Sequence, residues 1–220
     1  PYFNGNVGAV RVYKYNGRSK WEQYGDGLFG NLNDDFFGAS LSISSDGGQL
    51  VIGAPRERAI PHSPGYVTVV DLTSSNLTET TKITAKLDSG RNAFGYALSQ
   101  SHDGSEIFIG SPGYDGNRGI ARLYRKVDGS WEDTVEITGD YPEDRVGASL
   151  LMSSDATKFA VSIAGLVKIM KQDKTGKRFL MSRPISHGDK SFGKIAIADM
   201  GKWVSVAAAG AVHTYYQFNR

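Results

Sequence analysis

Carboxylates recur in this sequence at one kind of position, shortly before a Phe-Gly or Val-Gly step. They are Asp34-Asp35, Glu143-Asp144 and Asp189. Paired carboxylates can serve acid–base catalysis or hold a hard cation, whereas acidic residues in a connecting loop are often simply solvated. The histidines occupy unrelated positions and form no metal-ligand spacing: His62, His102, His187 and His213. Because the chain also has no nucleophile motif and no phosphate-binding loop, we expect that it is not an enzyme.

A second group of polar residues lies in two stretches that separate apolar runs, at 56–65 and 113–119. Arginine and tyrosine are favoured in protein interfaces because they combine a large contact area with hydrogen-bond donors. Protruding loops on a rigid scaffold often carry binding residues, and an idle surface loop is the alternative. The predicted partner-binding residues are Arg56, Arg58, His62, Tyr114, Asp115, Asn117 and Arg118.

Basic residues crowd the stretch VKIMKQDKTGKRF, in which Asp173 is the single acid. This basic patch consists of Lys168, Lys171, Lys174, Lys177 and Arg178. Such a cluster suits an anionic partner, such as an acidic protein, a polysaccharide or a lipid surface. Lysines on an exposed strand also hinder edge-to-edge aggregation, so a solvated edge is the alternative. Basic and aromatic residues are not interleaved across the chain, and we therefore expect no nucleic-acid partner.

The composition indicates a folded chain with many turns. Of its 220 residues, 40% are hydrophobic and 27 are glycine, so a packed core of short elements is expected. The net charge of +2 provides no general field that would attract nucleic acid. Since the chain has no cysteine and no long apolar run, we expect no disulfide, no Cys-ligated metal and no transmembrane segment.

An internal repeat organises the chain. A Phe-Gly or Val-Gly step recurs at Gly38, Gly95, Gly147 and Gly193. Each step is followed by a turn signal, by an apolar run that ends in Gly-Ala-Pro or a variant, and by another apolar run. Asn-Gly and Asp-Gly pairs favour tight type I′ hairpins, in which both central residues have positive φ. Each repeat therefore predicts four short antiparallel strands, which we call a to d in chain order.

Four strands in about 50 residues, repeated without helices, are typical of a β-propeller blade. We therefore expect an all-β fold: a single β-propeller domain over residues 1–220, built from four-stranded antiparallel blades, with the residue before each repeated glycine wedged between two of them. About five blades are expected, the first and last incomplete, and we favour a piece of a larger ring over a closed ring with one incomplete blade. The expected blade segments are about 1–35, 36–93, 94–145, 146–191 and 192–220.

The stretch FGASLSISSDGGQLVIGAP resembles an FG-GAP repeat, the blade motif of integrin-α-like propellers. The resemblance is strong from Gly8 to Tyr124 and faint after Val146. It implies a β-propeller and favours an extracellular, periplasmic or organelle-lumenal location without fixing the compartment. Many blades of that family hold Ca²⁺ in the a–b hairpin. Each such hairpin here supplies one Asp, which is too few oxygens for Ca²⁺, so we expect no metal and no cofactor.

In blades of this topology the b–c and d–a loops share one end, and the a–b and c–d hairpins share the other. We expect a non-catalytic protein-interaction or structural scaffold that binds through the b–c and d–a loops. Its partner would be another protein, or further copies or segments of a larger assembly. The alternative is a glycan-binding, adhesive propeller in which exposed aromatic residues stack on sugar rings. Trp21 and Trp131 recur at one repeat position, which favours packing between blades over a sugar site.

Overall fold

The computed structural model describes residues 5–56, 63–85, 90–173, 179–181, 185–186, 192–197, 203–208 and 211–216. Nearly all of its regular structure is antiparallel β-sheet, which confirms the predicted all-β class. The exception is one helical turn, α1 (Tyr114–Asn117), between two strands of the third sheet. Within these ranges no helix has the length and apolarity that crossing a bilayer requires.

The first sheet is a single antiparallel hairpin made of a c strand and a d strand. Each of these strands is divided into two short segments, which pair with the corresponding segments of the other strand. Its strands are β1 (Ala9–Val10), β2 (Tyr13–Tyr15), β3 (Trp21–Gln23) and β4 (Leu28–Phe29). The second and third sheets each have four strands side by side in chain order, a to d. The second contains β5 (Ser40–Ile43), β6 (Gln49–Ala54), β7 (Tyr66–Asp71) and β8 (Thr78–Thr84). The third contains β9 (Ala97–Gln100), β10 (Glu106–Ser111), β11 (Ile120–Val127) and β12 (Ser130–Thr138).

The fourth sheet has the same order, but its d strand is in two pieces that both pair with β15. Its strands are β13 (Leu150–Met152), β14 (Lys158–Ile163), β15 (Leu166–Gln172), β16 (Phe179–Met181) and β17 (Ile185–Ser186). The described part of the fifth sheet has strands a, b and c. They are β18 (Phe192–Ile197), β19 (Trp203–Ala208) and β20 (Ala211–Tyr216).

The hydrophobic core lies between successive sheets. One cluster joins Val51 and Val67 of the second sheet to Leu98 and Ile107 of the third. The b strands β6 and β10 are buried along almost their whole length, because a sheet covers each of their faces. This explains why they read as continuous apolar runs and not as alternating patterns.

The residue before each repeated glycine lies at the junction of two sheets. Phe37, Phe94 and Val146 are all almost completely buried. Their N–H groups donate to carbonyl oxygens at the start of the preceding c strand, at 3.1, 2.6 and 3.0 Å respectively. The expected wedge between neighbouring units is therefore present at three successive junctions.

The repeated glycines meet across these junctions. A Cβ on Gly53 would lie 2.1 Å from the carbonyl oxygen of Gly95, and a Cβ on Gly110 would lie 2.1 Å from that of Gly147. In two b strands, β6 and β10, the glycine near the strand's end thus contacts the glycine that precedes the next a strand. Any side chain at these b-strand positions would force the two sheets apart.

The a strands of successive sheets, β5, β9, β13 and β18, lie side by side. The N–H of Gln100 donates to Ser42 Oγ at 3.2 Å, and the N–H of Met152 donates to Ser99 Oγ at 3.2 Å. These hydrogen bonds join neighbouring sheets at their a strands, so the a strands form one margin of the successive sheets.

The turns follow the expected chemistry only in part. At Asp128-Gly129 both residues have positive φ, 47° and 83°, as a type I′ turn requires. The connection at Asn16-Gly17 is wider than predicted, because five residues separate β2 from β3. There the Asn16 side chain accepts hydrogen bonds from the N–H groups of Arg18 and Lys20, which stabilises the longer loop.

Candidate binding surfaces

Arg56, one of the predicted partner-binding residues, lies in a buried ion pair. Its Nε is 3.0 Å from Oδ1 of Asp35, a carboxylate whose side chain is 1% exposed. The other carboxylate oxygen of Asp35 accepts a hydrogen bond from the Tyr66 hydroxyl at 2.7 Å. Burial, reinforced by this hydrogen bond, raises the pKa of Tyr66 well above its usual value. Arg56 thereby ties a b–c loop to the preceding d–a loop.

The second predicted loop forms an exposed turn at the same end of the sheets. Three consecutive residues of α1, Asp115, Gly116 and Asn117, have positive φ, so the turn is left-handed. Asp115 pairs with Arg118 at 3.4 Å, and Asn117 donates a hydrogen bond to Glu143 Oε1 at 2.9 Å. The structure therefore joins this b–c loop to the following d–a loop. Arg58 and His62 lie outside the described residues.

Two of the d–a loops carry an exposed apolar residue that sequence reasoning missed. Leu32 is 55% exposed and Tyr141 is 71% exposed, at equivalent positions of two repeats. The N–H of each donates to the carboxylate three residues later, to Asp35 at 3.1 Å and to Asp144 at 2.9 Å. Each carboxylate also accepts a second N–H from the residue before, which fixes the turn. The signal in the sequence was an Asp three residues after a large apolar residue.

We call this end of the molecule the loop face. Its described members are the turn around Leu32, the α1 turn and the turn around Tyr141. Asp35 and Asp144, which the sequence singled out as possible acid–base or metal groups, hold these turns in place. Asp189 lies outside the described residues. The loop face therefore presents apolar tips on turns whose backbone is fixed by hydrogen bonds.

The opposite end carries the a–b hairpins. Asp46, Asp103 and Asp155 each accept a hydrogen bond from a serine hydroxyl two residues earlier and from a backbone N–H two residues later. Backbone and serine hydrogen bonds lower the pKa of Asp103 to about 2. Each carboxylate stands in its own turn, and among the described residues no three acidic or histidine side chains gather as a metal site. These residues act as turn formers, the role expected of Asp in such hairpins.

A cavity of about 390 Å³ opens at this end, beside the a strands. Residues from four successive sheets line it, among them Ile43, His102, Met152 and Ile197. The backbone of His102 links neighbouring hairpins, since its carbonyl accepts from Ser45 at 3.0 Å and its N–H donates to Ser154 at 2.9 Å. His102 is therefore an integral part of this rim.

Two lysines of the predicted basic patch lie within the described residues. Lys168 is half-buried and Lys171 is exposed, and both belong to β15. Because they are three residues apart in a strand of regular register, their side chains lie on opposite faces of the sheet. Lys158 lies directly opposite Lys171 on β14. Lys174, Lys177 and Arg178 lie outside the described residues.

A groove of about 340 Å³ runs along the outer strands of the second and third sheets. The segment 81–84 forms one wall, and Tyr124, Trp131 and Asp133 belong to the other. Trp131 is half-buried and packs against the core cluster between these sheets. Burial raises the pKa of the neighbouring Tyr124 hydroxyl to about 12, so it stays protonated and can donate a hydrogen bond.

The predicted packing of Trp21 between two sheets is wrong. Its side chain is 69% exposed and contacts Tyr15, with ring centroids 5.5 Å apart. Trp131 is partly covered by the d strand of the second sheet, whereas within the described residues no strand lies over Trp21. The same repeat position is therefore a groove wall in the third sheet and an open surface in the first.

No protein-family model matches the chain, and its sequence matches no curated protein. Solved structures with a similar fold exist. A functionally unknown protein from Desulfotomaculum acetoxidans superposes with a TM-score of 0.68 at 13% identity, over 97% of this chain and 60% of that one. Hydrazine synthase from Kuenenia stuttgartiensis gives 0.69 at 12% identity, over 97% of this chain and 66% of that one.

The periplasmic gluconolactonase of Pseudomonas aeruginosa gives a TM-score of 0.62 at 15% identity, over 91% of this chain and 57% of that one. The chain thus spans about three-fifths of the length of the structures it matches. At these identities the likeness concerns the fold alone. Two of the three structures are enzymes, so the comparisons do not support the prediction that this chain lacks catalytic activity.

Proposed function

We propose that the chain is a segment of a β-propeller of the FG-GAP kind and that it is a non-catalytic binding module for another protein. Successive four-stranded sheets with their a strands side by side support the propeller. The wedge residues and the glycine contacts recur at the junctions, which supports a similar arrangement of each sheet relative to the next.

The observation that carries the binding function is the pair of exposed apolar tips on the loop face, Leu32 and Tyr141. A large apolar side chain on a fixed turn loses little conformational freedom on binding, so it is well suited to be an interface anchor. Asp115 in the α1 turn and Arg118 directly after it supply charged groups to the same face. The carboxylates Asp35 and Asp144 are engaged in holding these turns, which is what a preformed binding surface needs.

Site-specific photo-crosslinking tests this proposal. A photoreactive phenylalanine is placed at Leu32, at Tyr141 or, as a matched control at the other end of the molecule, at the exposed Lys126. We expect one and the same protein to be crosslinked from both loop-face positions and not from Lys126. Equal capture from all three positions would contradict the proposal.

Measuring the affinity for the partner then tests whether Tyr141 is an interface anchor. With the crosslinked partner purified, Tyr141→Ala should weaken binding about tenfold or more, since central aromatic anchors dominate interface energetics. Lys126→Ala should leave the affinity unchanged. Unaltered binding by the Tyr141→Ala variant would remove the loop face from the interface.

A glycan-binding function is the second candidate, and the exposure of Trp21 together with the groove at Trp131 favours it. An aromatic wall beside hydroxyl and charged side chains suits the stacking of a sugar ring. Intrinsic fluorescence during titration with a panel of oligosaccharides tests this candidate. A saturable change that Trp131→Ala abolishes and Trp203→Ala retains would support it, and a change retained by Trp131→Ala would exclude the groove.

A further inference from the structure

The connection between β7 and β8, the c and d strands of the second sheet, contains the sequence Asn76-Leu77-Thr78. Within the 220 residues this is the one place where Asn is followed two residues later by Ser or Thr. An asparagine in this pattern can accept an N-linked oligosaccharide when it lies in a surface loop and the middle residue is not proline. A pattern of three residues is short, so its structural setting decides whether it can be used.

The setting is a fixed turn with an exposed asparagine. The segment 73–76 is exposed, whereas Leu77 is half-buried and packs against the core cluster between the first and second sheets. The N–H of Leu72 donates to the carbonyl oxygen of Gly48 at 2.8 Å. The N–H of Thr73 donates to Oδ1 of Asp71 at 2.7 Å. Asn76 therefore points to solvent from a turn that is anchored on both sides.

The side-chain amide of Asn76 is also unengaged. Three other asparagines each donate a side-chain N–H to a carboxylate, namely Asn6, Asn16 and Asn117. No described residue bonds to the side-chain amide of Asn76. The hydrogen bonds in this turn reach its backbone carbonyl oxygen instead, from the Ser74 hydroxyl at 3.2 Å and the Thr78 hydroxyl at 3.0 Å. The amide nitrogen that glycosylation requires is therefore open to solvent.

We propose that Asn76 is an acceptor for an N-linked oligosaccharide. The donor is an oligosaccharide carried on a lipid diphosphate, which the lumen of a eukaryotic secretory pathway supplies together with the transferase. Nδ2 of Asn76 forms a bond to the anomeric carbon of the first sugar, and the bond from that carbon to the diphosphate oxygen breaks. The lipid diphosphate leaves with the electron pair of that bond, and one amide proton is released.

The position of the turn separates this modification from the loop face. The hydrogen bond from Leu72 to Gly48 places the turn beside the a–b hairpin of the second sheet. That hairpin lies at the end of the molecule opposite the turns around Leu32 and Tyr141. An oligosaccharide on Asn76 therefore leaves the proposed protein-binding surface uncovered, and the two proposals stand or fall independently.

The test is the intact mass of the full chain secreted by a eukaryotic cell. The chain carries a cleavable signal peptide and, after its last residue, a flexible tag with an Asn-Gly-Thr acceptor, which reports that the chain has reached the lumen. We expect two oligosaccharides on each chain, both removed by peptide N-glycosidase. Because this enzyme converts a glycosylated asparagine to aspartate, peptide mass spectrometry should locate one of them at Asn76.

Matched variants assign the modification to this turn. Asn76→Gln and Thr78→Val should each lose one oligosaccharide and retain the one on the tag, whereas Thr78→Ser, which keeps the hydroxyl, should retain both. Both side chains are exposed, and valine keeps the β-branched shape that suits β8, so we expect these variants to fold. A chain glycosylated on the tag alone, or an Asn76→Gln chain that keeps both oligosaccharides, overturns the proposal.

The protein purified from the organism that makes it provides the second readout. Trypsin releases Asn76 in the peptide 59–82, since Arg58 and Lys82 are the cleavage sites on either side. We expect this peptide to carry an oligosaccharide that peptide N-glycosidase removes. Recovery of the peptide only with an unmodified Asn76 would likewise contradict the proposal.

Discussion

At the scale of single residues, the loop face depends on two carboxylates, the buried Asp35 and the partly exposed Asp144. Asp35 accepts hydrogen bonds from two backbone N–H groups and from Tyr66, and it pairs with Arg56. Its repeat equivalent, Asp144, accepts the same two kinds of backbone N–H. The two turns can therefore be compared. Both have the backbone hydrogen bonds to a carboxylate, and the carboxylate of Asp35 also forms an ion pair with Arg56.

Replacing Asp35 with Asn should lower the free energy of unfolding by about 3 kcal/mol, because it leaves the Arg56 guanidinium largely buried without its counter-ion. Asp144→Asn serves as the control and should cost about 1 kcal/mol, since only hydrogen bonds to a charged acceptor are weakened. Urea denaturation of the two variants gives both values. Equal losses of unfolding free energy in the two variants would mean that the Arg56–Asp35 ion pair adds no stability to that of the hydrogen-bonded turn.

The a–b hairpins should make stability depend on pH in the acid range. The pKa of Asp103 is about 2 in the folded chain and about 4 in an unfolded one, so the carboxylate form is favoured by folding. Its contribution is complete above pH 5 or so and is lost as the pH falls through 4 towards 2. Carboxyl NMR titration should show the low pKa, and Ser101→Ala together with Ser105→Ala should raise it. An Asp103 pKa that stays the same in the double variant would contradict the assigned cause.

At the scale of elements, the junctions between sheets are set by backbone contact. Gly110→Ala should lower the free energy of unfolding by about 1–3 kcal/mol, because the new methyl would overlap the carbonyl oxygen of Gly147. Gly129→Ala is the control: its Cβ meets nothing within 4 Å, and its positive φ alone should cost about 1 kcal/mol. Thermal unfolding distinguishes them, and a Gly110→Ala loss no larger than that of Gly129→Ala would argue against a steric junction.

The elements that could be predicted were those whose cause is local. The strands and the buried wedges were predicted from the repeated Phe-Gly steps, apolar runs and Asp-Gly turns. Each of these signals depends on residues close together in the sequence, and the same signals recur in each repeat. The Arg56–Asp35 pair joins residues far apart in the chain, and the wider loop at Asn16 depends on its side-chain hydrogen bonds. Trp21 looked equivalent to Trp131 in sequence, but burial depends on the neighbouring sheet, which a pattern within one repeat does not describe.

At the scale of the whole molecule, stability should differ along the stack. Among the described residues, core clusters join the third sheet to a sheet on each of its faces, whereas a core cluster joins the first sheet to the second sheet alone. In arrays of this kind each unit is stabilised mainly by its nearest neighbours. We therefore expect amide hydrogen exchange to be slowest in β10 and β14 and fastest in β2 and β3. Uniform exchange rates throughout would show instead that the chain opens as a single cooperative unit.

The backbone contacts at the junctions also bear on how such a chain can diverge. Each joint includes an N–H to carbonyl bond and, in two cases, a contact between two glycines, and these backbone contacts tolerate a change of the wedge side chain. Val146 replaces the Phe found at the earlier joints, and Arg118 stands where the preceding joint has Pro64, yet the step is preserved. The loops of a repeat can therefore change in sequence and gain new binding specificities. The backbone contacts between successive repeats stay the same while they do so.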